Sequence, residues 1–401
     1  MFYRYLLFFC FGLLYCNAQQ DTLKPFYKTN ISKPDILSTH SFGVFTSRLQ
    51  GHFEMIAQKK SSAFIGLKSG NVWSPPLLVY IPKNEADRAR VRTYNWDQAH
   101  RAFDENTIEK DSFYIANDGV TKGFNLNFNI FLAKKHELII DFRTHLLTSG
   151  KSIFSILTSD EFIEKFHEKI AGGNDPFDRK VFGFNKATIN YVDRNSNSMT
   201  INNGDFFATG IKTSYYYYPE LFKRLSQTVK VNFGTHLGAN LSKYNSALDL
   251  GLSTNAIKLY KLNTSSQINV GLSVGVLRKN IIDFKSTNLD FGTNAFIANL
   301  ESSLEYSFKT KQDVIHAFGA NFYLQSSLNK KEELDYIIPI RHPIAFKSWG
   351  QGALNLYKNI NYWSFIYSFS KKNTTYFYVQ QDLTLNNNPD IQTGVGYKFS
   401  L

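Results

Sequence analysis

The sequence predicts an all-β protein, an antiparallel transmembrane β-barrel of about 12 to 16 strands with a short amphipathic helix and one long loop insertion. Apolar and polar residues alternate along most of the chain, which places them on opposite faces of strands. The alternating runs are about 10 to 14 residues long, whereas strands of soluble sheets are most often about 5 to 6 residues long. Their polar faces carry Asn, Gly and Ser, as a barrel lumen does. These observations favour a membrane barrel over a soluble sandwich.

Composition and charge argue against several other classes of protein. Aromatic residues make up 16% of the chain and charged residues only 19%, the reverse of a disordered charged tail. The formal net charge is +12, but apart from Arg88, Arg90 and Arg92 the basic residues are dispersed, so nucleic acid is not an expected partner. Mean hydropathy is −0.28. Beyond the N-terminus no stretch reaches the roughly 18 apolar residues of a spanning helix.

The N-terminus has the pattern of a secretory signal peptide over residues 1–18. An apolar run from Tyr5 to Tyr15 precedes small residues that suit cleavage before Gln19, and the alternative, a membrane anchor, would need a longer run. Both cysteines, Cys10 and Cys16, lie in this segment, so the mature chain is expected to lack disulfides, Cys-zinc sites and Cys nucleophiles. We expect residues 19–40 to form an N-terminal lead and residues 41–401 an outer-membrane β-barrel.

A long non-β insertion is expected in the first part of the chain. The segment from Pro75 to Asp111 shows no alternation and carries charges of both signs. It is too long for a hairpin turn and predicts a surface loop with helical turns. Its charges suit a solvated surface better than a ligand site.

The clearest hairpin places four ionisable residues on one face. Apolar residues alternate with Asn from Phe124 to Leu132, and the next strand follows a turn at Lys134 and Lys135. If the apolar residues of the second strand face lipid, its charged residues form a lumen charge cluster, the candidate binding residues Glu137, Asp141, Arg143 and His145. Buried charges need partners, so Arg143 is expected to pair with Asp141 or with a carboxylate on a neighbouring strand. This network either stiffens the barrel or forms a charged constriction.

A short amphipathic helix interrupts the strands near residue 160. Ser159 can cap it, apolar residues recur with helical spacing, and glycines 172 and 173 end it. One interpretation is a lid that packs on the barrel. The other is a plug or gate whose candidate binding residues are Phe162, Phe166 and His167.

Further alternating runs begin near residues 229, 248, 268 and 296 and continue to the C-terminus. Aromatic residues near strand ends, Tyr215 to Tyr218 and Tyr362 with Trp363, suit the interfacial girdles of a barrel. Turn chemistry at three sites predicts hairpin connections that face the periplasm. These sites are Lys134-Lys135, Asn203-Gly204-Asp205 and Lys371-Lys372-Asn373.

The last strand resembles the terminal strand of bacterial outer-membrane β-barrel proteins. Gln392, Gly394, Tyr397 and Phe399 give the pattern polar-x-Gly-x-x-aromatic-x-aromatic, although the final residue is Leu401 instead of an aromatic. The resemblance implies a location in the cell outer membrane. It also implies two partners, membrane lipid and the outer-membrane insertion machinery, the latter through this strand.

A narrower resemblance covers residues 113–180. The long hairpin, then Ile163, Glu164, Phe166 and His167, and then a Gly-rich turn are similar to an uncharacterised outer-membrane family with an I-E-D-F-H-type loop helix. Lys165 stands at the acidic position of that motif. The family has no established activity, so the resemblance bears on the fold and not on chemistry.

No catalytic motif stands out, and we expect no catalytic residues, no metal site, no cofactor and no enzymatic activity. The expected function is a channel or transporter for a small solute or an apolar compound, whose solute the sequence does not identify. The alternatives are a structural or assembly barrel of the cell envelope and, less favoured, a lipid-acting outer-membrane hydrolase. Lumen polarity and the loops discriminate among these functions.

Overall fold

The structure is a computed structural model. It describes residues 28–38, 42–94, 105–171, 173, 179–220, 229–285, 288–340, 349–382 and 390–401. The predicted signal peptide and the first part of the expected lead lie outside the described residues.

The described residues are mostly antiparallel strands joined by turns, loops and short helices. The strands are β1 (Ser62–Pro82), β2 (Lys110–Ala133), β3 (His136–Thr148), β4 (Thr188–Val192), β5 (Ser198–Asn202), β6 (Phe206–Tyr217), β7 (Val229–Leu241), β8 (Ser246–Lys261), β9 (Ser266–Asp283), β10 (Phe296–Lys309), β11 (Ile315–Gln325), β12 (Ile338–Ile340), β13 (Ile360–Ser370), β14 (Thr374–Gln381) and β15 (Ile391–Ser400). The α-helices are α1 (Glu85–Arg92), α2 (Asp160–Phe166), α3 (Arg179–Phe182) and α4 (Trp349–Asn355).

Twelve of these strands close into a barrel. Going round the wall, the order is β1, β2, β3, β6, β7, β8, β9, β10, β11, β13, β14 and β15, and every neighbouring pair is antiparallel. Strand β1 closes the ring because it pairs with β15 from Ser62 to Gly70 and with β2 along its whole length. This confirms the predicted all-β transmembrane barrel, at the lower limit of the expected strand number. A closed ring leaves its strands without an open edge.

The outward face of the barrel is apolar and exposed. Side chains such as Leu252, Leu304, Phe318 and Phe365 point away from the lumen, and each exposes more than half of its surface. A band of this size around the molecule would not be stable in water, so it lies in the hydrocarbon of the outer membrane. Among the described residues, no helix is long and apolar enough to cross a membrane.

The predicted aromatic clusters divide between the two faces. Tyr215 and Tyr217 point outward, as the girdle expectation requires, but Tyr216 and Tyr218 point into the lumen and are buried. Trp363 is likewise exposed on the outside while its neighbour Tyr362 is fully buried. The girdle interpretation was therefore wrong for every second residue, because consecutive side chains of a strand alternate between faces.

The two ends of the barrel differ in the length of their connections. One end carries the start of β1, the end of β15 and short turns, among them Lys134-Lys135 and Lys371-Lys372-Asn373. The other end carries the long loops, so it is the extracellular end by the usual rule for this class. The expectation for Asn203-Gly204-Asp205 was wrong, because this turn joins β5 to β6 at the extracellular end and β5 pairs with β4 instead. Gly204 takes a φ of +87° there, which suits glycine.

The extracellular end is closed by a cap with its own apolar core. Strands β1 and β2 continue past the barrel and carry β12 on one side and β4 with β5 on the other. The expected loop from Pro75 to Asp111 is thus partly strand, and only residues 83–109 connect β1 to β2. Ile115, Tyr191, Phe291 and Tyr357 belong to the buried cluster beneath these strands. In the same cap, burial raises the pKa of Glu333 even though Arg194 donates two hydrogen bonds to its carboxylate.

The assignment of the two ends predicts a labelling pattern. Single cysteines at the exposed positions Lys134, Asn203 and Lys372 are reacted with a membrane-impermeant maleimide in intact cells. We expect efficient labelling of Asn203→Cys and little or none of Lys134→Cys and Lys372→Cys, because only the first lies outside the cell. Permeabilising the outer membrane should make all three react; the reverse pattern in intact cells would invert the orientation.

Candidate functional site

Residues 28–38 and 42–57, called the plug below, precede β1 in the chain and lie inside the barrel. Two arms run side by side, joined by backbone hydrogen bonds from Ile31 to Phe53 (3.0 Å) and from Met55 to Thr29 (2.8 Å). The connection between the arms reaches the cap, where Phe42 packs against Phe291 with ring centroids 4.8 Å apart. The plug therefore spans the lumen from the periplasmic end to the cap.

The plug is held to the wall by polar contacts. Inward-facing wall side chains accept hydrogen bonds from backbone N–H groups of the plug: Glu305 from Ser32 (2.7 Å), Gln392 from Leu37 (2.7 Å), Asp249 from Ser47 (2.9 Å) and Asn255 from His52 (2.9 Å). Ion pairs add to these contacts: Lys28 with Glu305 (2.6 Å), Lys68 with Asp35 (2.8 Å) and Lys398 with Glu54 (3.4 Å). Polar groups of the inner wall thus find partners in the plug as well as among their own neighbours.

The middle of the predicted lumen charge cluster binds the plug. Arg143 donates hydrogen bonds to the backbone oxygen of Thr46 and to the amide oxygen of Asn240 (3.2 Å). We expected Arg143 to pair with a carboxylate. This prediction was wrong for its hydrogen bonds, because Arg143 donates to a backbone carbonyl of the plug instead. Asp141 lies on the same face but pairs with Lys212, with 3.8 Å between the charged atoms.

Both Glu137 and His145 lie in the lumen as predicted. Glu137 is remote from this pair, whereas His145 lies two residues beyond Arg143 on the same face of β3 and borders the same small cavity as Asp141 and Arg143. Glu137 is fully buried near the periplasmic end and accepts a hydrogen bond from Tyr218, and His52 of the plug approaches it to 3.4 Å. His145 is eight residues further along β3, about 26 Å of strand. It is buried near the cap and contacts the hydroxyl of Thr209 at 3.2 Å. Asp141, Arg143 and His145 are therefore neighbours around one small cavity, and Glu137 forms a separate contact near the periplasmic end.

The plug leaves little free space between itself and the wall. Two cavities there have volumes of about 10 and 20 Å³. Each has room for about one water molecule. The larger is bordered by charged groups of both plug and wall, including Asp35, Arg48, Lys68 and Asp141. At these two places, described residues of the plug and the wall lie in close contact.

The predicted amphipathic helix forms but lies outside the lumen. Ser159 caps α2 by accepting a hydrogen bond from the backbone of Phe162 (3.2 Å), as expected. Asp160 at its start accepts a hydrogen bond from Asn71, on the outward face of β1. Phe162 and Phe166 pack on each other with centroids 6.5 Å apart, and His167 is buried. The helix thus has the position of a lid on the outer wall, and its plug interpretation was wrong.

The sequence prediction missed the plug, although one signal was present. Residues 28–61 lack the alternation of a strand, while the barrel strands carry several inward carboxylates that need partners, including Asp249, Glu301 and Glu305. A polar segment of this length before the first strand is the natural source of such partners. Within the described residues, no group of three or more His, Cys, Asp or Glu side chains is arranged to hold a metal ion.

Comparison with known proteins finds similarity only to solved structures, at low sequence identity and low TM-score. No protein-family model and no curated protein matches the chain. Among solved structures it is similar to an outer membrane channel from Pseudomonas putida F1 (8% identity, TM-score 0.37), with 90% of this chain and 98% of that chain covered. It is also similar to LpxR from Salmonella typhimurium (7% identity, TM-score 0.36), with 85% and 100% covered. At these identities the likeness concerns the fold alone, and the resemblance of residues 113–180 to an uncharacterised family stays a prediction.

Removing the guanidinium of Arg143 should weaken the plug and the barrel together. In the variant Arg143→Leu the carbonyl of Thr46 and the amide of Asn240 lose a buried donor, which costs about 3 kcal/mol. The measurement is the urea dependence of the folded band in a semi-native gel. Arg278→Leu is the control, because Arg278 lies on the outward face and should unfold like the wild type. Equal midpoints for both variants would show that Arg143 does not hold the plug.

Proposed function

We propose that the protein is a gated outer-membrane transporter for a small polar solute, and that the plug is its gate. The observation that supports this most directly is the polar interface between plug and wall. Hydrogen bonds and ion pairs fix the plug at Ser32, Leu37, Ser47 and His52, all along the lumen. Contacts of this kind exchange with water far more readily than an apolar core does.

The energetics favour a plug that can move. A neutral hydrogen bond contributes only about 0.5 to 1.5 kcal/mol net, because water replaces it when it breaks. Burying apolar surface contributes about 25 cal/mol per Å². When such surface is exposed again, no new hydrogen bonds to water compensate for this loss. A wall meant to hold the plug permanently would be apolar, whereas this wall presents Asn, Ser, Glu and Asp.

The barrel does not need the plug for its closure. Each of the twelve barrel strands pairs with two neighbours in the ring, so the backbone hydrogen bonds of the wall are complete without the plug. Withdrawal of the plug would leave a closed wall with a polar lumen, which is what passage of a polar solute requires. The candidate residues Glu137, Asp141, Arg143 and His145 would then line the path.

A second candidate function is a permanently closed structural barrel whose cap engages other envelope components. One observation favours it: the tip of the plug is part of the apolar core of the cap. Phe45 stacks on Phe291 with centroids 5.6 Å apart, and Phe42 packs on Tyr191 at 4.5 Å. Moving the plug would disturb this core. The following experiment separates the two functions.

A disulfide lock tests whether the plug is a gate. Ser32 in the plug and Ser368 on β13 have hydroxyl oxygens 2.8 Å apart, so cysteines at both positions can form a disulfide. The background variant is Glu305→Ala, which removes the partner of Lys28 and should raise the open fraction about thirty-fold, for a loss of about 2 kcal/mol. Conductance is measured in planar bilayers in KCl. We expect the oxidised lock to abolish it and reduction to restore it.

A matched lock outside the lumen is the control for this experiment. Ser69 and Thr158 also have hydroxyl oxygens 2.8 Å apart, but they join the outer wall to a surface loop. Their disulfide should leave conductance unchanged. Conductance that persists through the oxidised Ser32–Ser368 lock would reject the plug as a gate. No conductance in any variant, including Glu305→Ala, would favour the closed structural barrel.

The charge on Asp141 should affect ion selectivity if the lumen cluster narrows the path. Asp141 pairs with Lys212 at 3.8 Å, and Arg143 and Lys68 face the same region, so removal of its charge makes this region more positive. In the Glu305→Ala background, Asp141→Asn should shift the reversal potential in a KCl gradient towards anion preference. Asp313→Asn, in an exposed periplasmic turn, is the control and should not shift it. An unchanged potential for Asp141→Asn would place the path elsewhere.

A further inference from the structure

The loop of residues 149–158, called the overhanging loop below, lies on the outer side of the barrel wall and presents apolar side chains to the surroundings. Ile153, Phe154 and Ile156 expose 81%, 65% and 82% of their surface. Phe154 also adopts a φ of +61°, an unfavourable conformation for a bulky residue. Such strain persists only where the surrounding structure fixes it, and it is common at binding sites.

The loop is fixed to the wall by polar contacts beneath it. Lys122 on β2 donates hydrogen bonds to the hydroxyls of Ser69 (2.7 Å) and Ser155 (2.8 Å). The hydroxyl of Ser69 in turn lies 2.8 Å from that of Thr158, and the side-chain amide of Asn71 donates to the backbone oxygen of Thr158 (3.0 Å). These contacts hold the loop at a defined distance from the strands.

The overhanging loop and the wall enclose an apolar groove of about 860 Å³, called the outer groove below. Its floor is made of outward-facing side chains of neighbouring strands: Leu67, Phe124, Phe377 and Val395. Ile153, Phe154 and Leu157 of the loop complete it. The floor continues directly into the lipid-facing band of the barrel, so an acyl chain can enter the groove from the membrane.

Lys122 lies at the polar end of this groove. On the outward face of β2 it is followed by the apolar positions from Phe124 to Leu132, about 26 Å of strand. Lys122 therefore stands at the extracellular boundary of the hydrocarbon, at the level of lipid head groups. Both its hydrogen-bond partners are neutral hydroxyls, and within the described ranges no ion pair includes it. A cation beside an apolar groove is complementary to an anionic amphiphile.

We propose that the outer groove binds an anionic lipid of the membrane. The acyl chain lies against Leu67, Phe124 and Val395, and the anionic head group pairs with the ammonium of Lys122, with the nearby hydroxyls as further hydrogen-bond donors. The site is outside the lumen and needs no movement of the plug. Its test is therefore independent of the proposed transport function.

Lipid binding to the full-length mature protein in dodecyl maltoside tests this site. The probes are dimyristoylphosphatidylglycerol and dimyristoylphosphatidylcholine, which have the same chains but differ in net charge, and bound lipid is counted by native mass spectrometry. We expect one saturable site with about ten-fold preference for the anionic lipid in the wild type. Lys122→Gln should lose the preference and still bind the neutral lipid as before. Lys122→Arg should keep it.

Two further variants separate the parts of the site. Leu67→Trp fills the groove from a lipid-facing position and should lower the binding of both lipids about ten-fold. Arg278→Gln removes another outward-facing cation at the same end of the barrel, where Arg278 lies over the ring of Phe296, and should leave the preference intact. Heat-modifiable gel mobility confirms that each variant is folded.

The proposal is overturned by any of three results. These results are a ten-fold preference retained by Lys122→Gln, a preference abolished equally by Arg278→Gln, and complete displacement of the anionic lipid by millimolar inorganic phosphate. The last result would mean that a free anion and not a lipid is bound. Normal conductance behaviour of the plug variants would leave these outcomes unaffected.

Discussion

The structure depends on one constraint: the inner wall of the barrel is polar, and its charges have to be satisfied at membrane depth. Many inward positions are Asn, Ser, Asp or Glu, and the outward positions between them are mostly apolar because lipid surrounds the barrel. The wall cannot satisfy all of these groups itself, because each strand already uses its backbone hydrogen bonds for its neighbours. The plug supplies further donors, several of them from its own backbone. The position of the plug follows from the chemistry of the wall.

The barrel could be predicted from the sequence because its signal is local. Successive residues of a strand face lipid and lumen in turn. The alternation from Phe124 to Leu132 can therefore be recognised without knowing which strands lie beside it. Predictions that rested on residue type alone were less reliable. Tyr216 and Tyr218 were expected with the interfacial aromatics, yet strand geometry turns them towards the plug. The turn at Asn203 has hairpin chemistry, but its strand finds another partner.

The plug contacts could not be predicted because they join residues far apart in the chain through the backbone. Ser47 binds Asp249, and Lys28 binds Gln267, over more than two hundred positions in each case. A backbone N–H is present at nearly every residue, so nothing in the sequence marks Ser47 as a donor. The same reason explains Arg143. Its charge predicted a buried partner, but a carbonyl of the plug cannot be read from residue types.

The anchoring of the plug tip in the cap would link the proposed withdrawal of the plug to loosening of the cap. Since Phe42 and Phe45 belong to the same apolar core as Phe291, withdrawing the plug and loosening the cap share part of their free-energy cost. Linkage of this kind is reciprocal: whatever shifts the cap towards a looser state makes withdrawal easier by the same factor, and a withdrawn plug destabilises the cap equally. A ligand on the cell surface could therefore change the state of the lumen without entering it. Conversely, a force applied to the plug from the periplasm would increase the mobility of the extracellular loops.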